Sequence, residues 1–237
     1  MLLSHKHKFI YLKTRKTASS STEISLSRYC DGPEDVVTPM GPDEEAIRRP
    51  LGVEPKNYLE DRRNYGWYDV YKLVVRGREK QRFWGHMTAA DARERIEPHV
   101  WNSYFKFTFD RNPWDKTVSN YFWRCTRDRK PMTLEQYFER YQGRFPQYNF
   151  QYYSIDGKVA VDYVGRFEEL TDGMAHALAQ VGIEFDGWLP KAKSHTRKDK
   201  RHYSELFDER QQQIIADHFR SEIELLGYEY EDRRAAA

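Results

Sequence analysis

Residues 105–121 read FKFTFDRNPWDKTVSNY, and their reading decides the fold. Upstream and into this stretch, residues 101–109 (WNSYFKFTF) alternate apolar and polar side chains, as a half-buried strand does. Pro113 has the fixed φ that suits a first helical position, and Asn112 before it is a capping residue. Trp114, Val118, Tyr121, Phe122 and Cys125 then recur at helical spacing on one face. A strand, a polar turn and a helix follow in order, with Arg111 in the turn. Its guanidinium fork either grips a phosphate at that corner or pairs with Asp115 four residues on. Ser119, two turns into the helix, either faces the same corner or is a neutral helix residue.

The same arrangement occurs near the N-terminus. Residues 7–13 (HKFIYLK) predict a short buried strand and 21–29 a helix. Between and into them runs Lys16-Thr17-Ala18-Ser19-Ser20-Ser21-Thr22-Glu23. Small residues entering a helix present backbone N–H groups and the positive end of a helix dipole to an anion. Lys16 adds a point cation, and Thr17, Ser19, Ser20 and Ser21 add hydroxyls; the alternative is a Ser/Thr-rich helix cap. Gly-x-x-x-x-Gly-Lys-Ser/Thr is absent, which counts against a magnesium nucleoside triphosphate. Two strand–turn–helix units predict an α/β fold with a parallel sheet, its ligands beyond the carboxyl ends of the strands.

Elsewhere, residues 31–66 hold five of the ten prolines and little periodicity, and read as loop or lid with a short helix near 44–48. Residues 67–75 (WYDVYKLVV) read as a strand. Helices are expected over 88–97, capped by Thr88, over 133–141, over 168–181, and over 204–226, ended by Gly227. Residues 151–164 read as a hairpin turning at Asp156-Gly157. Residues 1–230 form one expected domain, and 231–237 an expected disordered tail.

The chain has 237 residues, 39 Lys and Arg against 37 Asp and Glu, and a mean hydropathy of −0.93. It is polar, yet 15% of its residues are aromatic, which excludes a disordered chain. A net charge of +2 argues against a general nucleic-acid coat, so a single-strand nucleic-acid binder is a weak rival. No apolar run is long enough to span a bilayer and no signal peptide is read. Cys30 and Cys125 show no metal spacing and fit a reducing cytoplasm.

Taken together, five stretches resemble the 3′-phosphoadenosine 5′-phosphosulfate (PAPS)-dependent sulfotransferases of the carbohydrate, or family 2, type. Residues 16–23 resemble that family's 5′-phosphosulfate loop, K-T-[AG]-G-T-S. Residues 105–121 resemble its 3′-phosphate motif, F-x-F-V-R-N-P-W-D-R-x-V-S-x-Y, and are the most specific match. Residues 30–40, 162–170 (DYVGRFEEL) and 201–228 resemble further family segments. The resemblance implies a P-loop-like α/β sheet flanked by helices and metal-independent, in-line sulfuryl transfer from PAPS to a hydroxyl acceptor, a carbohydrate or small metabolite. Adenosine 3′,5′-bisphosphate would be the other product. A P-loop-like nucleotide or metabolite kinase is the alternative.

By the same resemblance, Lys16 neutralises the leaving-group oxygen, and Thr17, Ala18, Ser19, Ser20 and Ser21 hold the 5′-phosphate. Arg111 and Ser119 hold the 3′-phosphate. Lys16 is preferred over Lys13 by its spacing to Ser20-Ser21, Lys13 reading as the last strand residue. Ser19 stands where the family has Gly, which puts a side chain near the phosphate. Asp110 stands where the family has Val, so its carboxylate must point away or meet a cation. His86, in Trp84-Gly85-His86-Met87-Thr88, is the candidate general base, with a structural histidine as the other reading. Glu23 is the second candidate base, or else a charge complementing its helix dipole. Residues 191–202 (KAKSHTRKDKRH) close over the cofactor phosphates through Arg197, Lys200 and Arg201, capture an acidic glycan, or form a solvated linker. The sequence names neither the acceptor nor an oligomeric state.

Overall fold

The strand inside the quoted motif lies within a five-stranded sheet, flanked by two other strands of the chain. The computed structural model describes residues 1–127, 131–192 and 199–234. Its strands are β1 (Leu2–Ser4), β2 (Phe9–Tyr11), β3 (Val36–Val37), β4 (Phe105–Asp110), β5 (Ser154–Ile155), β6 (Lys158–Val159) and β7 (Tyr163–Arg166). The helices are α1 (Ser19–Ser27), α2 (Pro42–Arg48), α3 (Trp67–Arg76), α4 (Ala89–Arg95), α5 (Pro98–Ser103) and α6 (Pro113–Arg127). After these come α7 (Leu134–Tyr141), α8 (Phe150–Tyr153), α9 (Leu170–Ala179), α10 (Glu209–His218) and α11 (Arg220–Leu226).

The sheet order is β3-β1-β2-β4-β7. Strands β2, β4 and β7 run parallel, as expected, but β1 is antiparallel to both β2 and β3, so the sheet is mixed. The four residues between β1 and β2 are too few for a parallel crossover and can only close a hairpin. Period-two alternation assigns the faces. Leu3, Ile10 and Leu12 pack with Met87, Ala92 and Trp101 on one side. Leu2, Phe9, Tyr11, Phe107 and Phe109 pack with Met174 and Leu178 on the other. A third cluster, with Trp114, Val118, Phe138, Phe207 and Phe219, joins α6, α7 and α10.

Gly165 on β7 is fixed by close approach. A Cβ there would sit 2.5 Å from the Phe109 ring on β4. Asn112 caps α6 as expected, its Oδ1 accepting from the N–H groups of Trp114 and Asp115 at 3.1 and 3.3 Å. Thr88 and Thr133 likewise cap α4 and α7.

Several expectations change. Residues 67–75 form helix α3 instead of a strand, because Trp67, Val70, Tyr71, Val74 and Val75 follow helical spacing between Gly66 and Gly77. Residues 101–103 belong to α5, opened by Pro98. The expected helix 204–226 is two, α10 and α11, broken at the fully buried Phe219. The hairpin turns at Asp156-Gly157 as read, but spans only Ser154–Val159: residues 151–153 belong to α8, and β7 beyond the hairpin joins the main sheet. Of the expected tail, Glu231 and Arg233 donate backbone N–H bonds to Tyr203 Oη and Ser204 Oγ at 3.0 and 3.1 Å, so it is engaged at least that far. Among the described residues no helix is long and apolar enough to cross a membrane.

Candidate active site

The loops after β2 and β4 leave the carboxyl ends of neighbouring parallel strands and meet beside one cleft of about 550 Å³. The first loop bends sharply. Lys16 and Ala18 take left-handed backbone angles, φ 64° and 51°, and Ala18 is the N-cap of α1. Alternating left-handed residues turn successive N–H groups toward one side, the arrangement that binds anions. Lys16, Ala18, Ser19, Ser20 and Ser21 all line the cleft. Ser20 Oγ donates to Glu44 Oε1 at 3.2 Å, and Ser21 Oγ accepts from the Ala192 N–H at 3.2 Å. Thr17 is placed differently: its hydroxyl is fully buried against Thr14 Oγ1 at 2.9 Å, away from the cleft.

From the second loop, Arg111 faces the cleft. Its Nη1 donates to the Lys16 carbonyl at 3.1 Å, its Nε donates to Asp115 Oδ2 at 2.8 Å, and its guanidinium carbon stands 4.2 Å from the Phe167 ring centroid. The pairing with Asp115 and the cleft position therefore coexist. Ser119, Asn120 and Trp123 of α6 line the same wall, and Lys16 Nζ stands 5.2 Å from the Trp123 ring centroid.

His86 enters from the loop before α4. Its Nδ1 lies 3.0 Å from the Lys13 carbonyl oxygen. A carbonyl only accepts, so Nδ1 carries the proton and Nε2 keeps the lone pair. Burial, with the charges of Lys13 and Arg15, lowers its pKa to about 3, so the ring is neutral at pH 7. Glu23, the second candidate base, does not line the cleft. It is fully buried, pairing with Lys13 Nζ at 2.6 Å and the Met1 ammonium at 3.1 Å, and accepting from Thr38 Oγ1 at 2.9 Å. Burial alone would raise its pKa; Lys13 and the ammonium overcome this and hold it at about 2. Glu23 is thus a fixed counter-ion beneath the loop.

Asp110 points away from the cleft into a buried polar cluster. Its Oδ1 accepts from Lys116 Nζ and Asn149 Nδ2, each at 2.8 Å, and its Oδ2 from Tyr153 Oη at 2.9 Å. Lys116 also pairs with Glu222, whose Oε1 accepts from the Asn149 and Phe150 N–H groups. Asn149 in turn clamps the first loop: its Oδ1 accepts from the Arg15 N–H at 2.9 Å and its Nδ2 donates to the Arg15 carbonyl at 3.0 Å.

Within the basic segment, Lys191 lines the cleft, whereas Lys200 and Arg201 do not. Arg201 pairs with Asp199 at 2.7 Å, and Arg197 lies outside the described residues. Arg15 and Trp123 also line the cleft, and sequence reading assigned them no role. The Lys-Thr-Arg-Lys spacing holds the one available signal for Arg15, a second cation two residues beyond the end of the predicted strand. Arg15 Nε donates to Tyr152 Oη at 2.6 Å.

This geometry can be set beside known proteins. A protein of Archaeoglobus fulgidus described as uncharacterized is 29% identical over 100 residues, covering 41% of this chain and 83% of its own length. The crystal structure of a sulfotransferase from Alicyclobacillus acidocaldarius superposes with a TM-score of 0.44 at 16% identity, covering 94% of this chain and 96% of that one. The sequence profile of the sulfotransferase family matches residues 1–229, a span that contains both loops, His86 and the whole sheet. By that match the chain belongs to the sulfotransferase family.

Proposed function

We propose that this transferase moves a sulfuryl group from PAPS to the hydroxyl of a carbohydrate or small metabolite. The observation that supports the reading most is the gathering of Lys16, Arg111, Ser119 and a neutral His86 around one cleft. That cleft has a volume in the range of small-ligand sites, roughly 300–1,000 Å³. A polyanionic donor fits its cations and hydroxyls, and the left-handed turns at Lys16 and Ala18 suit a loop whose amides take an anion. When bound, the donor would supply the activated sulfuryl group and the bisphosphate leaving group.

The chain's own residues then divide the work. Lys16 Nζ neutralises charge gathering on the leaving oxygen. Amides of residues 17–21, with the Ser19–Ser21 hydroxyls, hold the 5′-phosphate; Thr17 contributes through its backbone alone. Arg111 and Ser119 hold the 3′-phosphate that separates PAPS from ATP. His86 Nε2 accepts the acceptor's hydroxyl proton. Anions entering the cleft offset the Lys13 and Arg15 charges and move the His86 pKa up, against the burial that lowers it most. In this reading, cations and amides carry the charge compensation that a metal would otherwise supply. Lys191, which lines the cleft, would meet the phosphates, and Lys200 and Arg201 of the same basic segment would follow it. Cys30 and Cys125 are unpaired, which suits a reducing cytoplasm.

A kinase is not favoured, since the triphosphate loop Gly-x-x-x-x-Gly-Lys is missing. Calorimetry with adenosine 3′,5′-bisphosphate, against ATP with magnesium, tests the reading on wild type and Arg111→Ala. Metal-free binding of the bisphosphate, lost in the variant, is expected. Preference for ATP with magnesium would replace this reading with the kinase.

A further inference from the structure

Helix α3 is inside out. None of its ten residues is buried. Its polar residues Asp69 and Lys72, with Leu73, are the half-buried ones and turn toward the protein, while the apolar face turns outward. On that outward face Trp67 is 83% exposed, Val74 77% and Val75 60%, with Val70 and Tyr71 beside them. The positions 67, 70, 71, 74 and 75 make one continuous stripe. A helix this short is marginal in water, and its apolar stripe joins none of the core clusters among the described residues.

The charges around it are unequal once pairs are formed. Residues 60–80 contain four carboxylates. Asp61 pairs with Arg63 at 2.6 Å, Glu79 with Arg62 at 3.1 Å and Asp69 with Lys80 at 3.0 Å. The fourth, Glu60, accepts from Asn64 Nδ2 at 2.8 Å. Lys72, Arg76 and Arg78 remain, with no carboxylate in ion-pair distance among the described residues. An aromatic-headed apolar stripe on one face, with Lys72 and the exposed Arg76 on the opposite polar face and the exposed Arg78 just past the C-terminal end, is the composition of a helix that lies in a membrane interface. A second copy of the chain is the poorer fit, because stable protein interfaces take roughly 20–30 residues a side.

We infer that α3 docks this protein on an anionic lipid surface, with Trp67, Val70, Tyr71, Val74 and Val75 in the headgroup boundary and Arg76 and Arg78 on the phosphates. The helix lies on the bilayer and does not span it.

Co-sedimentation of the full chain with phosphatidylcholine vesicles, with and without phosphatidylglycerol, tests this. Each cation near an anionic leaflet multiplies binding about fivefold, so anionic vesicles should bind at least about tenfold more tightly than neutral ones. Val74→Asp should abolish the binding, and Arg76→Gln with Arg78→Gln should remove the preference for phosphatidylglycerol. Since these side chains lie outside the core, thermal stability and bisphosphate affinity should be unchanged, which controls for folding. Absence of vesicle binding by wild type overturns the inference, as does binding that survives Val74→Asp. A dimer in sedimentation velocity that Val74→Asp dissociates, without vesicle binding, would assign the face to a second copy.

Discussion

Arg111 Nη1 donates a hydrogen bond to the carbonyl oxygen of Lys16 at 3.1 Å, tying the end of β4 to the loop that follows β2. The guanidinium thereby holds three directions at once: Lys16, Asp115 and the Phe167 ring. A lysine at this position keeps the charge but not the planar fork. Arg111→Lys should weaken adenosine 3′,5′-bisphosphate by about ten- to a hundredfold, the loss expected for charge-assisted bonds. Calorimetry at fixed salt measures it; unchanged affinity would remove Arg111 from the anion site.

His86 makes a kinetic prediction. With its pKa at about 3 in the free protein, it stays neutral through the near-neutral range. The pH profile of kcat/KM should therefore show no acid limb from His86 near neutrality. His86→Ala should lower kcat by about 10²–10⁴-fold while bisphosphate affinity holds. Arg15→Gln removes one of the charges that depress the ring, so NMR titration should find the His86 pKa raised. A ring pKa that does not move would mean Arg15 is screened from it.

Opposing pH trends in stability follow from two buried carboxylates. Glu222 is raised from 4.5 to about 7 by burial and by Asp110, against the pull of Lys116. Folding thus favours its protonated form, so its contribution is full below pH 4.5 and lost as pH rises through 7. Glu23, held at about 2, contributes above pH 4.5 and loses that contribution as pH falls toward 2. Urea unfolding across pH should find the Glu222→Gln variant with a flatter slope between 4.5 and 7 than wild type. An unaltered slope would place the titration elsewhere.

Phe109 and Gly165 give a packing test. With a Cβ at 165 only 2.5 Å from the ring, Gly165→Ala should cost about 1–3 kcal/mol in urea unfolding. Phe109→Leu in the same chain should recover part of that loss. Equal destabilisation in the single and double variants would show that the ring is not what excludes the methyl.

Local chemistry explains what was readable in advance. Asn112-Pro113, Thr88 and Thr133 announce helix starts because capping depends only on near neighbours. The motifs at 16–23 and 105–121 locate the cleft because each is a contiguous strand–turn–helix. Strand β1 escaped notice because Leu2–Ser4 is too short to establish a period. For α3, the valines and aromatics spoke for a strand, and spacing spoke for a helix; spacing won. The direction in which Glu23 and Asp110 point is set by partners as distant as Met1 and Asn149, and the role of Arg15 by Tyr152. No local pattern carries that information.

The Asn149 clamp on Arg15 has a consequence for timing. The Asn149 backbone is itself held by Glu222, so the shape of a loop near residue 15 depends on residues made some 130 and 200 positions later. Chains emerge from synthesis at about 5–20 residues per second, so the loop waits roughly 7 to 40 seconds for its clamp and brace. A nascent chain lacking α11 would have every residue proposed here to contact the donor and still not hold them in place. Competence to bind is thus acquired only once α11 has been made.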